Sequence, residues 1–223
     1  MQVFIGYDQR EREAYRVCER SLLKQASQAL NVHALDLHTL REQDLYTRPH
    51  EYRDGLLWDV ISDKPMSTEF SLSRFLVPHL MGYAGWALYV DCDFLFRADV
   101  AELFALAEPA YAVMVVKHHY IVPNGRKMDG QVNRAYARKN WSSLMLFNCG
   151  HPHNRRLSLS YVNARPRDEL HGFAWLHDWE IGALPFEWNW LDLKPRAVHF
   201  THGTPSMAGY EAARYAEEYR GYL

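Results

Sequence analysis

Trp86-Ala87-Leu88-Tyr89-Val90-Asp91-Cys92-Asp93-Phe94-Leu95-Phe96 begins as an unbroken apolar run and then places two carboxylates two residues apart. A strand buried on both faces of an α/β sheet reads this way up to its C-terminal end, where open parallel sheets bind ligands. In extended backbone Asp91 and Asp93 point to one side and Cys92 to the other. Two converging carboxylates repel unless a cation lies between them. A hard divalent ion such as Mg²⁺ or Mn²⁺, itself holding substrate phosphates, meets that need. Alone, an Asp-x-Asp after a strand is more often an Asp-rich turn, so the flanking sequence has to decide.

Upstream, Ser67 to Leu80 carries Leu72, Phe75, Leu76 and Leu80 at helical spacing. Ser67 or Thr68 can cap this helix, and Pro78 is expected to bend or end it. Arg74 within it is either a surface arginine covering apolar area with its stem, or a fork bonding a phosphate or one of the paired carboxylates. Leu40 to Pro65 reads as a polar, irregular, functional loop. Before it, a strand over Val3–Asp8, a helix over Glu11–Leu30 and a strand over Val32–Leu37 make a βαβ unit. Asp8 and Arg10 should then lie near the same sheet edge as Asp91. Gly6 stands alone, so a dinucleotide fingerprint is disfavoured while a looser nucleotide pocket is not.

Downstream, Ala98–Leu106 is a short helix stopped by Pro109, and Tyr111–Val116 and Trp141–Phe147 are strands. Between them, Lys117, Arg126, Lys127, Arg134, Arg138 and Lys139 make a basic region, either solvated loop or a surface for an anionic substrate. Cys149, His151 and His153 invite a zinc reading, but Cys-x-His-x-His is no standard zinc spacing. A helix follows over Asn154–Val162, then an edge strand at Ile181–Pro185. Trp188 and Trp190 belong to an aromatic cluster and are either sugar-stacking platforms or core rings. Ala197–Phe200 is a short strand, and Met207–Gly221 reads as a tyrosine-rich terminal helix.

The 223 residues suit one domain, with a nucleotide-binding half over about 1–110, a second half over about 111–205 and the terminal helix beyond. Net charge is −2, with Lys+Arg 25 against Asp+Glu 27, which excludes bulk attraction to nucleic acid or anionic lipid. No apolar segment is long enough to span a membrane, and the N-terminus reads as a first strand and not a signal peptide. The expected location is cytoplasmic, with room for peripheral attachment to the inner face of a membrane. Three well-separated cysteines argue against a disulfide framework.

In their order, these segments resemble the glycosyltransferases of the GT-A nucleotide-sugar fold, closest to family 8, the glycogenin and bacterial galactosyltransferase group. Gly6-Tyr7-Asp8 stands where that family has an Asp-containing nucleotide-base loop. Ser71-Leu72-Ser73-Arg74-Phe75 matches the Arg-bearing helix before the metal motif, and Asp91-Cys92-Asp93 is that motif. Asn140-Trp141-Ser142 takes the place of an Asn-x-Gly strand that reaches the donor sugar. Trp188-Asn189 matches a Trp-Asn pair, and His199 matches a metal-binding His after a short strand. The match covers roughly residues 3–205. Thr204 stands where the family has a Lys before Pro205, so a phosphate contact comes from Arg10, Arg74 or Lys117, or is missing.

The resemblance implies an α/β fold with a mostly parallel central sheet, flanking helices and a small antiparallel element. It implies a metal-dependent hexosyltransferase that uses a UDP-sugar with Mn²⁺ or Mg²⁺, retains the anomeric configuration, and acts on a glycan, lipid-linked or small-molecule acceptor. Asp91, Asp93 and His199 would hold the metal, with His202 as the competing ligand. Asp8 would accept from the base, while Arg10, Arg74, Asn140, Ser142, Trp188 and Asn189 would line the donor site. Asp168 and Asp178 are the candidates for the acidic group facing the donor sugar. Two other classes remain: a sugar-nucleotide-binding protein without transfer activity, and a metal-dependent nucleotidyltransferase or phosphohydrolase.

Overall fold

The computed structural model describes residues 1–118, 138, 140–189 and 195–223. Among these, the strands are β1 (Gln2–Tyr7), β2 (Asn31–Asp36), β3 (His50–Arg53), β4 (Leu56–Asp59), β5 (Lys64–Pro65), β6 (Trp86–Val90), β7 (Phe94–Phe96), β8 (Val113–Val115), β9 (Leu144–Asn148), β10 (Ile181–Ala183) and β11 (Ala197–His199). Six form the central sheet in the order β10-β8-β9-β6-β1-β2. All neighbours pair in parallel except β9, which runs antiparallel to both β6 and β8. The run that opened the sequence reading is central, with Ala87 to Val90 all buried between β1 and β9. The architecture is thus a mixed, mostly parallel sheet flanked by helices, with two small antiparallel sheets, β11-β7 and β3-β4-β5.

Helix α1 (Arg12–Gln25) covers one side of the sheet and buries Ala14, Val17, Cys18, Ser21 and Leu22, the stripe its sequence spacing predicts. Gly6 on β1 has a specific packing role. A Cβ there would stand 2.5 Å from the Phe70 ring and 2.9 Å from the Tyr89 hydroxyl. Only glycine lets Phe70 close over the strand beside Asp8.

Several expected elements differ. The polar stretch 40–65 is not irregular: it folds into the β3-β4-β5 sheet. Arg48 anchors it. Its Nε and Nη2 donate to the two oxygens of Asp59 at 2.7 and 2.6 Å, and its Nη1 donates to the carbonyls of Val162 and Arg165 at 3.0 and 2.7 Å. Both members of the pair are buried. In place of one helix over 67–80 there are turns, a 3₁₀ turn at Ser73–Leu76 and a short helix at Val77–Leu80. Pro78 sits in the first turn of that helix, where its missing N–H costs nothing, so it starts the helix and does not break it. Trp141–Ser143 is a 3₁₀ turn that leads into β9. The tyrosine-rich end is helical only over Ala216–Arg220, because Gly209 and Tyr215 take left-handed backbone and hold the preceding segment in turns. Among the described residues no helix is long and apolar enough to cross a membrane.

Candidate metal and donor site

Two strand pairings assemble the site. Because β1 and β6 are parallel with Ile5 opposite Val90, Asp8 and Asp91 emerge at one edge of the sheet. Because β9 is antiparallel, it starts at that same edge, and the Asp91 N–H donates to the Ser143 carbonyl at 2.9 Å. The chain then turns through Asp93 into β7, which pairs with β11 so that Phe94 faces His199. The Phe200 N–H donates to the Asp93 carbonyl at 3.0 Å, and the His199 ring stacks on Phe94 with centroids 4.3 Å apart. Residues more than a hundred positions apart therefore converge. One potential ligand atom from each of Asp91, Asp93 and His199 lies within 4.8 Å of the others. Asp93 Oδ1 is buried without a hydrogen bond of acceptable geometry, and His199 Nε2 stands 3.3 Å from it. A buried carboxylate oxygen left this way fits a cation, as does the donor set of two carboxylates and an imidazole.

Arg74 is buried, and its Nη1 lies 2.8 Å from Asp91 Oδ1 and donates to the Ser142 carbonyl at 2.9 Å. The Tyr89 hydroxyl donates to the same Asp91 oxygen at 2.7 Å. Burial nevertheless pushes Asp91 above the usual carboxylate range, against the pull of Arg74 and with the help of Asp93. Burial would also raise Asp93, but the His199 charge beside it outweighs burial and holds Asp93 low. His199 is the converse: burial would lower it, and the charges of Asp93 and Asp91 raise it above its ordinary value. Glu11, at the start of α1, is pushed up to about 7 by burial and by repulsion from Asp93, while Cys92 Sγ donates to it at 3.0 Å.

A hydrogen-bond chain fixes the histidine. Ser143 Oγ donates to the Asn140 carbonyl at 2.8 Å, so it accepts from Asn189 Nδ2 at 2.9 Å. That turns Asn189 Oδ1 toward His199 Nδ1 at 2.8 Å, and Nδ1 must then be the donor. In the neutral ring the Nε2 lone pair is left facing Asp93, the tautomer a metal ligand needs. Asn189→Leu is expected to weaken divalent-cation affinity about 10- to 100-fold with little change in fold, measured by calorimetric titration with Mn²⁺. An unchanged affinity would remove Asn189 from the site.

The other expected site residues divide. Asp8 is fully buried and accepts four donors: Arg10 N and Nε at 2.9 and 3.0 Å, Arg10 Nη2 at 2.6 Å and Glu69 N at 3.1 Å. An ionised carboxylate has about four acceptor positions, so Asp8 is filled by the chain itself and is not open to a base. Arg10 is half-exposed beside it. Asn140 and Ser142 lie at the site edge, but the Ser142 hydroxyl is buried against His171 Nδ1 at 2.8 Å. Trp188 is a core ring, 2% exposed, which decides against a sugar platform, and Trp190 lies outside the described residues, as does most of the basic region over 118–139. Lys117 follows β8 at the site end, its ammonium over the Trp141 ring. His199, and not the exposed His202, lies in the cluster with Asp91 and Asp93. Asp168 and Asp178 stand apart from this network, exposed and paired with Lys64 and Arg138. Sequence reading missed Glu11, Tyr89, Ser143 and His171. Only Tyr89, two residues before Asp91 on the same strand face, carried a local signal.

No protein-family model matches the chain. Among solved structures, that of the galactosyltransferase LgtC in complex with donor and acceptor sugar analogues superposes with a TM-score of 0.63 at 11% identity, covering 100% of this chain and 95% of its own. The glycosyltransferase GlyE of Streptococcus pneumoniae TIGR4 gives a TM-score of 0.60 at 12% identity; all but 1% of this chain is covered, and it spans 59% of that one. At such identities the likeness is one of fold, and the fold is GT-A-like. Sequence similarity is far stronger to protein CDI of Arabidopsis thaliana, which is 42% identical over 226 residues, covering 96% of this chain and 83% of that protein. The chain belongs to the family of protein CDI.

Proposed function

We propose that the protein is a metal-dependent glycosyltransferase that moves a hexose from a nucleoside-diphosphate sugar, a UDP-sugar, to a glycan, lipid-linked or small-molecule acceptor. The observation that carries this is the convergence of Asp91, Asp93 and His199 around a buried, unbonded carboxylate oxygen at the C-terminal edge of β1, β6 and β8. The GT-A-like fold supports it, as do solved neighbours that are glycosyltransferases. Mn²⁺ or Mg²⁺ suits the donor set, and when bound such a cation stabilises the charge that grows on a departing diphosphate.

The chain's own groups do the remaining work. Arg74 and Tyr89 hold Asp91, and Asn189 presents His199 through Nε2. Lys117 and Arg10 supply positive charge for phosphate oxygens at the rim. Asn140 borders the donor sugar. The bond between the anomeric carbon and the phosphate oxygen breaks, a bond to the acceptor oxygen forms, and the acceptor proton leaves. The family 8 resemblance implies retention of configuration, which the anomeric proton signal of the product reads directly.

Titration calorimetry with UDP tests the reading. UDP is expected to bind when Mn²⁺ is present and to lose that affinity in chelator. If neither UDP nor any other nucleoside diphosphate shows metal-dependent binding, the reading fails.

A further inference from the structure

A second group of metal-ligating side chains lies at the opposite end of the sheet. Strand β9 begins at the Asp91 edge and ends with Asn148 opposite Trp86, the first residue of β6. His151 and His153 follow that end. Glu180 directly precedes β10, whose first residue, Ile181, lies opposite Val113 at the start of β8. The three side chains thus meet at the N-terminal edge of the parallel strands, with the length of the sheet between them and the Asp91 cluster. One potential ligand atom from each of His151, His153 and Glu180 lies within 4.8 Å of the others.

Each member is held by firm local structure. His153 is in the 3₁₀ turn Pro152–Arg156, which fully buried Asn154 pins by donating from Nδ2 to the carbonyls of Ala112 and Asn148 at 2.7 and 2.8 Å. Glu180 is 5% exposed. Its Oε2 accepts from the His177 N–H at 2.9 Å, which leaves Oε1 for the cluster. His153 Nδ1 faces that Oε1 in direct contact, yet it is a buried nitrogen with no partner of hydrogen-bonding geometry. The Nδ1 of His151 accepts only a 3.3 Å contact from the His153 N–H, which is at the weak limit. A nearly buried carboxylate oxygen and two imidazoles with loosely used nitrogens need a shared partner.

We propose that His151, His153 and Glu180 form a three-ligand Zn²⁺ site, which ties the turn after β9 to the start of β10. Two imidazoles and one carboxylate are a borderline-soft donor set that favours zinc, with water in the fourth position. The oxygen-richer Asp91 cluster favours Mn²⁺ or Mg²⁺. His153 Nδ1 and Glu180 Oε1, now in direct contact, would part to admit the ion between them, an adjustment within the reach of side-chain rotation at the two partly exposed histidines. Cys149, which the sequence places beside them, is not a member: it is buried and its Sγ donates to the Phe147 carbonyl.

The test uses the full chain as Asp93→Ala, to disable the first cluster, after removal of metal by chelator and titration with ZnCl₂. About one zinc per chain is expected by elemental analysis, with a rise in Tm of about 5–10 °C at a hundredfold excess over Kd. Adding His151→Asn and His153→Gln should abolish both. In an otherwise unaltered chain the same two substitutions should leave Mn²⁺-dependent UDP binding unchanged, so this inference and the proposed function can fail separately. Glu180→Gln is a further check if its circular dichroism shows a native fold. Zinc binding that is absent in Asp93→Ala, or that survives loss of both histidines, overturns the proposal.

Discussion

Asp93→Ala is expected to lower sugar transfer by about 100- to 1000-fold or more and to abolish metal-dependent UDP binding, while the fold is kept with at most a modest fall in Tm. The size follows from removing a group that positions positive charge against the leaving diphosphate. The small stability change follows from opposing effects of Asp93 in the folded chain. Its carboxylate attracts His199 Nε2, 3.3 Å away, which the substitution gives up, and it repels Asp91 and Glu11, which the substitution relieves. The contact that shapes the turn, from Phe200 N–H to the residue 93 carbonyl, is backbone and survives the substitution. Transfer assays, UDP titration and thermal unfolding on one preparation check all three parts. Full activity in this variant would exclude Asp93 as a ligand.

The largest expected loss of stability lies elsewhere, in Arg48→Ala. Arg48 and Asp59 are both buried and joined by two parallel bonds, and removing one partner strands the other charge. Breaking such a pair costs about 3–5 kcal/mol, or roughly 10 °C in Tm for a chain of this size. The buried Val162 carbonyl and the part-buried Arg165 carbonyl lose their donor as well. Burial alone would raise Asp59, but the bonds from Arg48 and Ser62 keep its carboxyl below the usual range. With the folded value depressed, the pair's stabilisation is complete above the unfolded carboxylate pKa, about 3.9, and is lost as pH falls through the folded value. A profile of Tm from neutral to acid pH should therefore show an acid-side fall that Arg48→Ala flattens. A variant as stable as the parent would show the pair to be unimportant.

The parts of the fold that could be read from sequence were those where a local pattern meets a single environment. The run from Trp86 to Val90 is apolar without alternation because both faces of β6 are covered. The stripe on α1 and the βαβ start were equally plain. Direction was not: nothing in Leu144 to Asn148 says that β9 runs against its neighbours, yet that reversal brings Ser143 to Asp91 and carries His151 to the far edge. The β3-β4-β5 sheet was hidden because its outer strand is polar and exposed, and its anchor, Arg48, looks like any surface arginine. In the site, Asp91 and Asp93 were visible as a motif and Arg74 by its position before them. His199 was visible only through the resemblance. Asn189 was singled out as part of a pair, but its bond to His199 depends on the β7-β11 register, as Glu11 depends on the angle of α1. Asp8 was correctly placed at the edge, but its four donors appear only once Glu69 folds over it.

Arg74 also sets the charge balance of the Asp91 cluster. With His199 neutral and Glu11 in its protonated form, two ionised carboxylates and one guanidinium leave a single net negative charge. A divalent ion seated there on its own would leave one uncompensated positive charge among partly buried carboxylates, which is costly. A diphosphate cancels it. On the proposed reading, cation and nucleotide each favour the other's binding, and by linkage the factor is the same in both directions. Mn²⁺ titrated into the protein alone should accordingly bind more weakly than Mn²⁺ titrated in the presence of UDP. An arginine that looks like a structural prop would then be what makes the two ligands depend on each other.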